Sequence, residues 1–208
     1  MTTTEVATTK RKASRAGVDL LRIVRINEEI KRVVSVSFKI NIMALNAIFL
    51  AKRAGTAALG FGVLSNELRV FSQDLRNCME SLTGLIHGCV SEVSIVLQDI
   101  RFTRLLSEAA LICPNSTAPA ILAQREAENE MHAGKLAALR NQLKRALEDA
   151  FQMVELGGVL AKSAKIEAAY GQSFAAPLAQ VSGEFDSIVE EIRTSLESLR
   201  RSAFFTGY

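Results

Sequence analysis

The chain has 208 residues, of which 49% are hydrophobic, with three prolines, no tryptophan and a net charge of +3. This length can bury one good core, and a composition rich in Ala, Leu, Glu, Arg and Ser is typical of an all-α protein. The charge is mild and clusters only at Lys10-Arg11-Lys12, which argues against nucleic-acid binding.

The first 14 residues are rich in threonine and have no apolar period, so they are predicted to form a disordered tail without a hydrophobic signal region. No apolar run is expected to approach the ~20 residues that cross a bilayer. The three cysteines, Cys78, Cys89 and Cys113, lack the spacing of metal ligands. They are expected to be buried free thiols, which fits a reducing cytoplasm.

The first helix is predicted to run from near Arg15 to Ala54. Its inner positions follow the alternating steps of four and three that form the seam of a coiled coil. These positions are Ile23, Asn27, Ile30, Val34, Ser37, Asn41, Ala44, Ile48 and Ala51. Four apolar residues near the helix end, Phe38, Ile42, Leu45 and Phe49, lie off this seam. They face either an external partner or the rest of the chain, and the sequence supports both readings.

A turn of small residues follows, and the second helix is predicted from about Phe61 to Ile112. Gly55 is placed where a helix would end in the left-handed conformation that only glycine adopts cheaply. Gly60 is expected to free the backbone again just before the return helix. Residues 15–112 are therefore predicted to form a tight αα-hairpin with its tip near 55–60.

Two prolines, Pro114 and Pro119, mark the next break, a connecting loop at 113–119. A third helix is predicted from about Ala120 to Ala169, and a second turn near 170–174 contains Gly171. The exit helix has an inner stripe of Phe185, Ile188, Ile192, Leu196 and Leu199. Residues 120–202 are thus predicted to form a second hairpin.

The first turn and its flanks resemble the signalling tip of bacterial methyl-accepting chemotaxis receptors. The residues that carry the resemblance are Asn41, Ala44-Leu45-Asn46-Ala47, Ala51-Lys52-Arg53-Ala54-Gly55, Gly60-Phe61 and Glu67-Leu68-Arg69, with the family's spacing throughout. Leu50 stands where the family has Glu, and Thr56, Ala58 and Leu59 replace its Glu, Gly and Arg. This tip is therefore less polar than the family's. Ile166-Glu167-Ala168-Ala169 resembles a second, degenerate copy of the same tip helix.

In the resembled family, identical hairpins from two chains pair into a four-helix bundle. Because this chain has two hairpins, we expect it to build such a bundle alone. The expected fold is all-α, a long antiparallel four-helix bundle or coiled coil whose tips near Gly55 and Gly171 lie side by side. A homodimer of first hairpins, with the second hairpin swapped or flanking, uses the same apolar seams and stays open as the alternative.

No catalytic set, metal-spaced cluster or phosphate-binding glycine loop occurs in the sequence, so we expect neither an enzyme nor a bound metal or cofactor. The resemblance instead implies a soluble, cytoplasmic, chemoreceptor-like signal-transduction protein without membrane insertion. It would dock through its hairpin tip to the chemotaxis histidine kinase and its coupling adaptor, and to other receptors or a second copy of itself.

Carried over from the family, tip-to-tip contacts would involve Phe38, Ile42, Asn46, Phe49 and Arg53, and contacts with kinase or adaptor would involve Leu45, Val63, Glu67 and Arg69. The alternative function is a repurposed helical bundle that acts as a small-ligand sensor or a scaffold outside chemotaxis. In that case Gly84, Gly88, Gly157 and Gly158 would make room for a pocket between the helices.

Overall fold

The computed structural model describes residues 3–112, 117–202 and 204, and within them it is all-α, with no β-strand. Four helices follow one another: α1 Thr3–Ala54, α2 Leu59–Ile112, α3 Ala118–Ala169 and α4 Ala175–Arg200. Short 3-10 turns, Gly55–Ala58 and Gln172–Phe174, join α1 to α2 and α3 to α4. The predicted all-α fold of two helical hairpins is confirmed.

Three helix starts differ from the prediction. α1 begins at Thr3 instead of near Arg15, so residues 3–14, predicted to be disordered, are helical. This segment contains neither glycine nor proline, and its β-branched threonines and valine lower helix propensity without breaking a helix. α2 and α3 each begin two residues early, at Leu59 and Ala118. Of the predicted connecting loop, residues 113–116 lie outside the described residues, and with them Cys113 and Pro114.

The chain divides into two compact units. The hairpin unit comprises Asn27–Thr83 and Lys144–Arg201 and therefore contains both turns. The three-helix unit comprises Met1–Ile26, Gly84–Leu143 and Ser202–Tyr208.

In the hairpin unit, the two hairpins contact each other along α2 and α3, which run antiparallel. Three contacts between them, ordered from the turns outward, are Gly60–Glu167, Phe71–Gly157 and Cys78–Ala146. From one contact to the next, the residue number rises on α2 and falls on α3. Both turns therefore lie at the same end of this unit, as predicted for tips that lie side by side.

The core of the hairpin unit is apolar and contains half of the predicted seam positions that fall in this unit. On α1, Ile30, Ser37, Ala44 and Ala51 are buried, while the other four, Asn27, Val34, Asn41 and Ile48, are only half-buried. Burial extends beyond the seam to a second set of α1 residues, namely Val33, Val36, Ile40 and Ala47. The large side chains that lose all contact with water include Phe61, Leu68, Leu75 and Phe185. Each such side chain contributes about 1.5–3 kcal/mol by burial.

The three-helix unit is joined by polar pairs as well as by apolar packing. Arg140 of α3 donates a hydrogen bond from Nη2 to Oδ2 of Asp19 on α1. Its guanidinium also lies 4.7 Å from the ring centroid of Phe204, which is buried beyond the end of α4. Between α2 and α3, Arg125 Nη1 donates to Asp99 Oδ1 at 2.7 Å, and His132 Nδ1 lies 2.6 Å from Glu92 Oε2.

Candidate functional site at the hairpin end

The first turn is built on Gly55, the residue that follows α1. Its φ of +67° lies in the left-handed region, and no atom lies within 4 Å of the place where a Cβ would stand. Glycine is thus required here for its backbone and not for space, as the sequence predicts. Ala58, at the end of the 3-10 turn, is buried and fixes the turn against the core.

Gly60 has a different role from the predicted one. It lies in the first turn of α2 and does not have a positive φ, so it does not relax the backbone. A Cβ at residue 60 would lie 2.3 Å from Oε2 and 2.6 Å from Cδ of Glu167. Gly60 therefore leaves space for the Glu167 side chain, which reaches it from the second hairpin.

The second turn has the predicted position and a different geometry. Gly171 has a φ of −71°, and the left-handed residue is its neighbour Gln172, with a φ of +49°. A Cβ at residue 171 would meet Leu178 Cδ1 at 2.5 Å and the Ala168 carbonyl oxygen at 3.2 Å. Gly171 is consequently required because the first turn of α4 packs closely on it.

The four apolar residues near the end of α1 that were left open between a partner and the rest of the chain are exposed to solvent. Phe38 is 53% exposed, Ile42 43%, Leu45 37% and Phe49 62%. They are spaced by four, three and four residues, so they form one continuous stripe, here called the α1 face. Of the two readings that the sequence left open, the structure supports the one in which this stripe is available to a partner.

The other predicted contact residues are exposed as well. They are Asn46 and Arg53 on α1 and Val63, Glu67 and Arg69 on α2. All nine residues carried over from the family thus lie on the surface of the hairpin unit. This is informative because their neighbours Ala47, Phe61 and Leu68 are fully buried.

An open groove of about 640 Å³ lies beside the first turn, between the end of α1 and the start of α2. This tip groove is lined by Ile48, Ala51, Lys52, Gly55, Thr56, Ala58, Leu59, Gly62, Val63 and Asn66. Leu59 and Val63 are the most exposed of its apolar residues. Sequence reasoning identified Val63 and missed the groove, because a concavity depends on how the two helix ends splay.

This end carries charges of both signs. Lys52 is the only charged residue that lines the tip groove, and Arg53 is exposed next to it on α1. Glu67 is exposed on α2, and the carboxylate of Glu167 lies beside Gly60. The sequence has no Asp or Glu between Glu29 and Glu67. On the α1 face, the guanidinium of Arg76 lies 5.6 Å from the ring centroid of Phe38, where it adds a further positive charge.

The second hairpin also has an exposed apolar stripe, which the sequence analysis did not identify. It consists of Leu156, Val159 and Ile166 on α3 and Tyr170 directly after α3, and each of these side chains is at least 59% exposed. Their spacing is helical, so a search for apolar residues off the predicted core face would have found them. Ile166 lies in the segment 166–169 near the end of α3, and Tyr170 lies beside the second turn.

The glycines proposed to open a ligand pocket are instead packed or exposed. A Cβ at residue 157 would lie 2.5 Å from the Phe71 ring, and one at residue 88 would lie 3.3 Å from Leu139. Gly158 is in ordinary contact distance of Val189, and Gly84 faces open space. Close helix packing, and not a cavity, accounts for Gly157 and Gly88.

The thiols are buried to different degrees. Burial raises the pKa of the Cys89 thiol to about 11, and the nearby Arg140 guanidinium partly offsets that rise. Burial and, to a smaller extent, the charge of Asp149 also raise the pKa of Cys78, which is half-buried. The raised pKa lowers the thiolate fraction of both cysteines at neutral pH, which disfavours a role as nucleophile. No group of three or more His, Cys, Asp or Glu within the described residues could hold a metal ion.

One expectation about apolar runs is wrong. Within Gly17–Ile112, the mean hydropathy of one 18-residue window reaches 1.8. By length and composition alone, a helix with such a window could cross a membrane. The stretch 33–50 of α1, which carries the α1 face, contains only one charged residue, Lys39. The core helix of a soluble bundle passes the same test.

No protein-family model, curated protein or solved structure matches this chain. The likeness to the chemoreceptor tip therefore depends on the sequence motifs between Asn41 and Arg69. In the structure this segment contains the left-handed Gly55 and both exposed and buried positions on the two helices.

Proposed function

We propose that this protein is a chemoreceptor-like signal-transduction protein that docks through its first hairpin tip to a chemotaxis histidine kinase and its coupling adaptor. It acts by protein recognition and not by catalysis. The observation that carries the proposal is the coincidence of motif and exposure. All nine residues that correspond to the family's contact positions are exposed beside a turn closed by a left-handed Gly55.

Two physical features support docking at this end. The α1 face and the tip groove together present Phe38, Phe49, Leu59 and Val63, each more than half exposed, on neighbouring helices. Exposed large apolar side chains that cluster in this way are typical of protein interaction sites. The buried positions between them keep the helices rigid, so binding would cost little conformational entropy.

The proposal places the protein in the cytoplasm, which agrees with the free Cys78 and Cys89 thiols. It also gives a reason for the second hairpin. By contributing α3 and α4, the chain completes a four-helix end without a second chain, so a single molecule presents the tip.

A pull-down tests the proposal. The tagged protein is mixed with purified chemotaxis kinase and coupling adaptor, and both are expected to be retained. Val63→Arg and Leu45→Arg place a charge on the exposed tip and should reduce retention at least ~10-fold. Leu105→Arg is the matched control because Leu105 is 63% exposed in the three-helix unit and should leave retention unchanged.

Circular dichroism of each variant verifies that the fold is kept. Retention that is equal for wild type and Val63→Arg would contradict docking at the tip. Absence of retention by the wild type, together with a rise in melting temperature on adding a small ligand, would favour the alternative of a repurposed ligand sensor.

A further inference from the structure

We propose that the three-helix unit pairs with a second copy of this chain, in antiparallel orientation, through an exposed heptad seam on α2. This α2 seam consists of Gln98, Phe102, Leu105, Ala109 and Ile112. All five residues are exposed. The seam belongs to the three-helix unit and the docking tip to the hairpin unit, so this pairing is separate from the proposed function and goes beyond it.

The α2 seam has the spacing of a coiled coil and is not covered by the described part of the chain. Its residues follow one another in steps of four, three, four and three, which places them on one face of the helix. The opposite face of α2 is the one that carries the buried Val93, Asp99 and Ser107. The packing of the three helices therefore does not account for the apolar side chains of the seam. Another helix that bears such a seam would bury them.

Phe102 is held in place for such a contact. The guanidinium of Arg125 lies 4.5 Å from the centroid of its ring, and the same guanidinium donates a hydrogen bond to the buried Asp99 at 2.7 Å. Arg125 thus fixes the ring from the α3 side, while 48% of the Phe102 side chain stays exposed. A ring fixed in advance loses little conformational entropy on binding, and aromatic side chains are enriched in protein interfaces.

The charges beside the seam favour a second copy in antiparallel orientation. Arg101 and Glu108 are exposed and lie seven residues apart on the same flank of the seam. When Phe102 packs against Leu105 of the second copy, each flank lies along its own counterpart. Arg101 of each copy then lies near Glu108 of the other, and the two-fold axis forms this contact twice. In a parallel pair, Arg101 would lie opposite Leu106 and gain no ion pair.

The same flank disfavours a lipid surface as the occupant. Helices that lie on a membrane carry Lys and Arg on their polar face. Here the Arg104 guanidinium is paired with Glu108, with 3.0 Å between Nε and Oε1, so the flank carries both signs. A second copy supplies the matching apolar residues and the matching charges. The seam is only about four helical turns long, so we expect a weak dimer.

Sedimentation equilibrium of the full chain tests the pairing. We expect a monomer–dimer equilibrium with a Kd of ~1–100 μM. Leu105→Arg should raise this Kd at least ~10-fold, because it places a charge in the centre of the seam. Leu111→Arg is the matched control. Leu111 is 61% exposed against 63% for Leu105 and lies on the same helix outside the seam, so its substitution should leave the Kd unchanged.

A charge swap tests the flank contact. Arg101→Glu and Glu108→Arg each oppose like charges across the two-fold axis, and each should raise the Kd ~5-fold or more at ~0.05 M salt. The double variant should restore the Kd of the wild type, because its charges are again complementary. Circular dichroism verifies that every variant keeps its helices.

Disulfide trapping tests the orientation. Gln98→Cys and Ala109→Cys are each made in a Cys78→Ala, Cys89→Ala, Cys113→Ser background, and the two proteins are mixed and oxidised. In the antiparallel pair residue 98 lies opposite residue 109 of the other copy, so the two variants should cross-link to each other. A parallel pair would link each variant to itself.

A chain that stays monomeric at ~0.5 mM would overturn the proposal. So would equal effects of Leu105→Arg and Leu111→Arg, a double charge variant no tighter than the single ones, or cross-links only between identical variants. Binding to phosphatidylglycerol vesicles without a dimer would refute the second copy in favour of a lipid surface.

The pull-down of the proposed function has a separate outcome. If Leu105→Arg abolishes the dimer and still retains kinase and adaptor, both proposals stand. A monomeric wild type that retains the two proteins refutes the pairing alone. A dimer of the expected kind that retains neither protein refutes the chemotaxis partners alone.

Discussion

Gly157 of α3 lies against the ring of Phe71 on α2, so close that a Cβ at residue 157 would be 2.5 Å from Phe71 Cζ. Phe71 is 5% exposed and packed between helices, so its ring has little space to move. The contact joins the first hairpin to the second in the middle of the hairpin unit. Its strength therefore reports on how closely α3 packs on α2.

Gly157→Ala should destabilise the protein by about 1–3 kcal/mol, because the added methyl overpacks the Phe71 site. This loss should exceed the ~1 kcal/mol that alanine gains over glycine in a helix. Gly183→Ala is the control, since a Cβ there meets nothing within 4 Å and the variant should be neutral or stabilising. Urea unfolding followed by circular dichroism measures both. Equal stabilisation of the two variants would contradict the packing of α3 on α2.

Gly55→Ala should cost about 1 kcal/mol, because alanine must adopt a φ of +67° in a turn that otherwise has space for the methyl. Gly55→Asn should cost less, because asparagine tolerates the left-handed region better than other residues with a side chain. Thermal unfolding of the three proteins checks this order. A Gly55→Ala protein as stable as wild type would mean that the turn has another geometry in solution.

The turn and the exposed tip could be predicted from the sequence because they depend on local rules. Gly55 follows a long helical pattern, and the residues of the α1 face lie outside the seam positions that the heptad spacing defines. Gly60 and Gly171 lie in or beside the turns as predicted, but the reason predicted for Gly60 is wrong. Their surroundings come from Glu167 and Leu178, whose side chains reach them only after the helices pack.

Phe204 should stabilise the three-helix unit although it lies beyond the end of α4. It is 1% exposed, so Phe204→Ala should cost about 3 kcal/mol. Arg140 stacks on its ring, so a double-mutant cycle with Arg140→Met should show a coupling of about 0.5–2 kcal/mol. Additive effects of the two substitutions would contradict this contact.

The cross-helix pairs of the three-helix unit could not be predicted, because they depend on which helix faces which. A signal existed for one of them. Asp19 lies four residues before the predicted seam position Ile23, so a carboxylate falls on an otherwise apolar stripe. Its partner Arg140 is 121 residues away, and only the register of α1 against α3 joins the two.

Cys89 should react very slowly with thiol reagents in the folded protein. Burial raises the pKa of Cys89 from 9.0 to about 11 in the folded protein. Between pH ~9 and ~11 the Cys89 thiol therefore ionises in the unfolded state before it ionises in the folded state. The contribution of the buried thiol to stability is present below pH ~9 and is lost as the pH rises towards 11. Stability should therefore fall over this window. Cys89→Ala should make the fall shallower, and iodoacetamide labelling in a Cys78→Ala, Cys113→Ser background measures the Cys89 thiol directly. Rapid labelling of Cys89 at pH 8 would contradict its burial.

The most direct test of the central claim is a spin-label distance between the two turns. Labels at Thr56→Cys and Ser173→Cys, both exposed, are measured in a Cys78→Ala, Cys89→Ala, Cys113→Ser background after mixing with excess unlabelled protein. Because packed helices lie 8–10 Å apart, a separation of ~10–25 Å that persists on dilution is predicted. A signal that disappears on dilution, or a separation above ~40 Å, would show that one chain does not bring its own turns together.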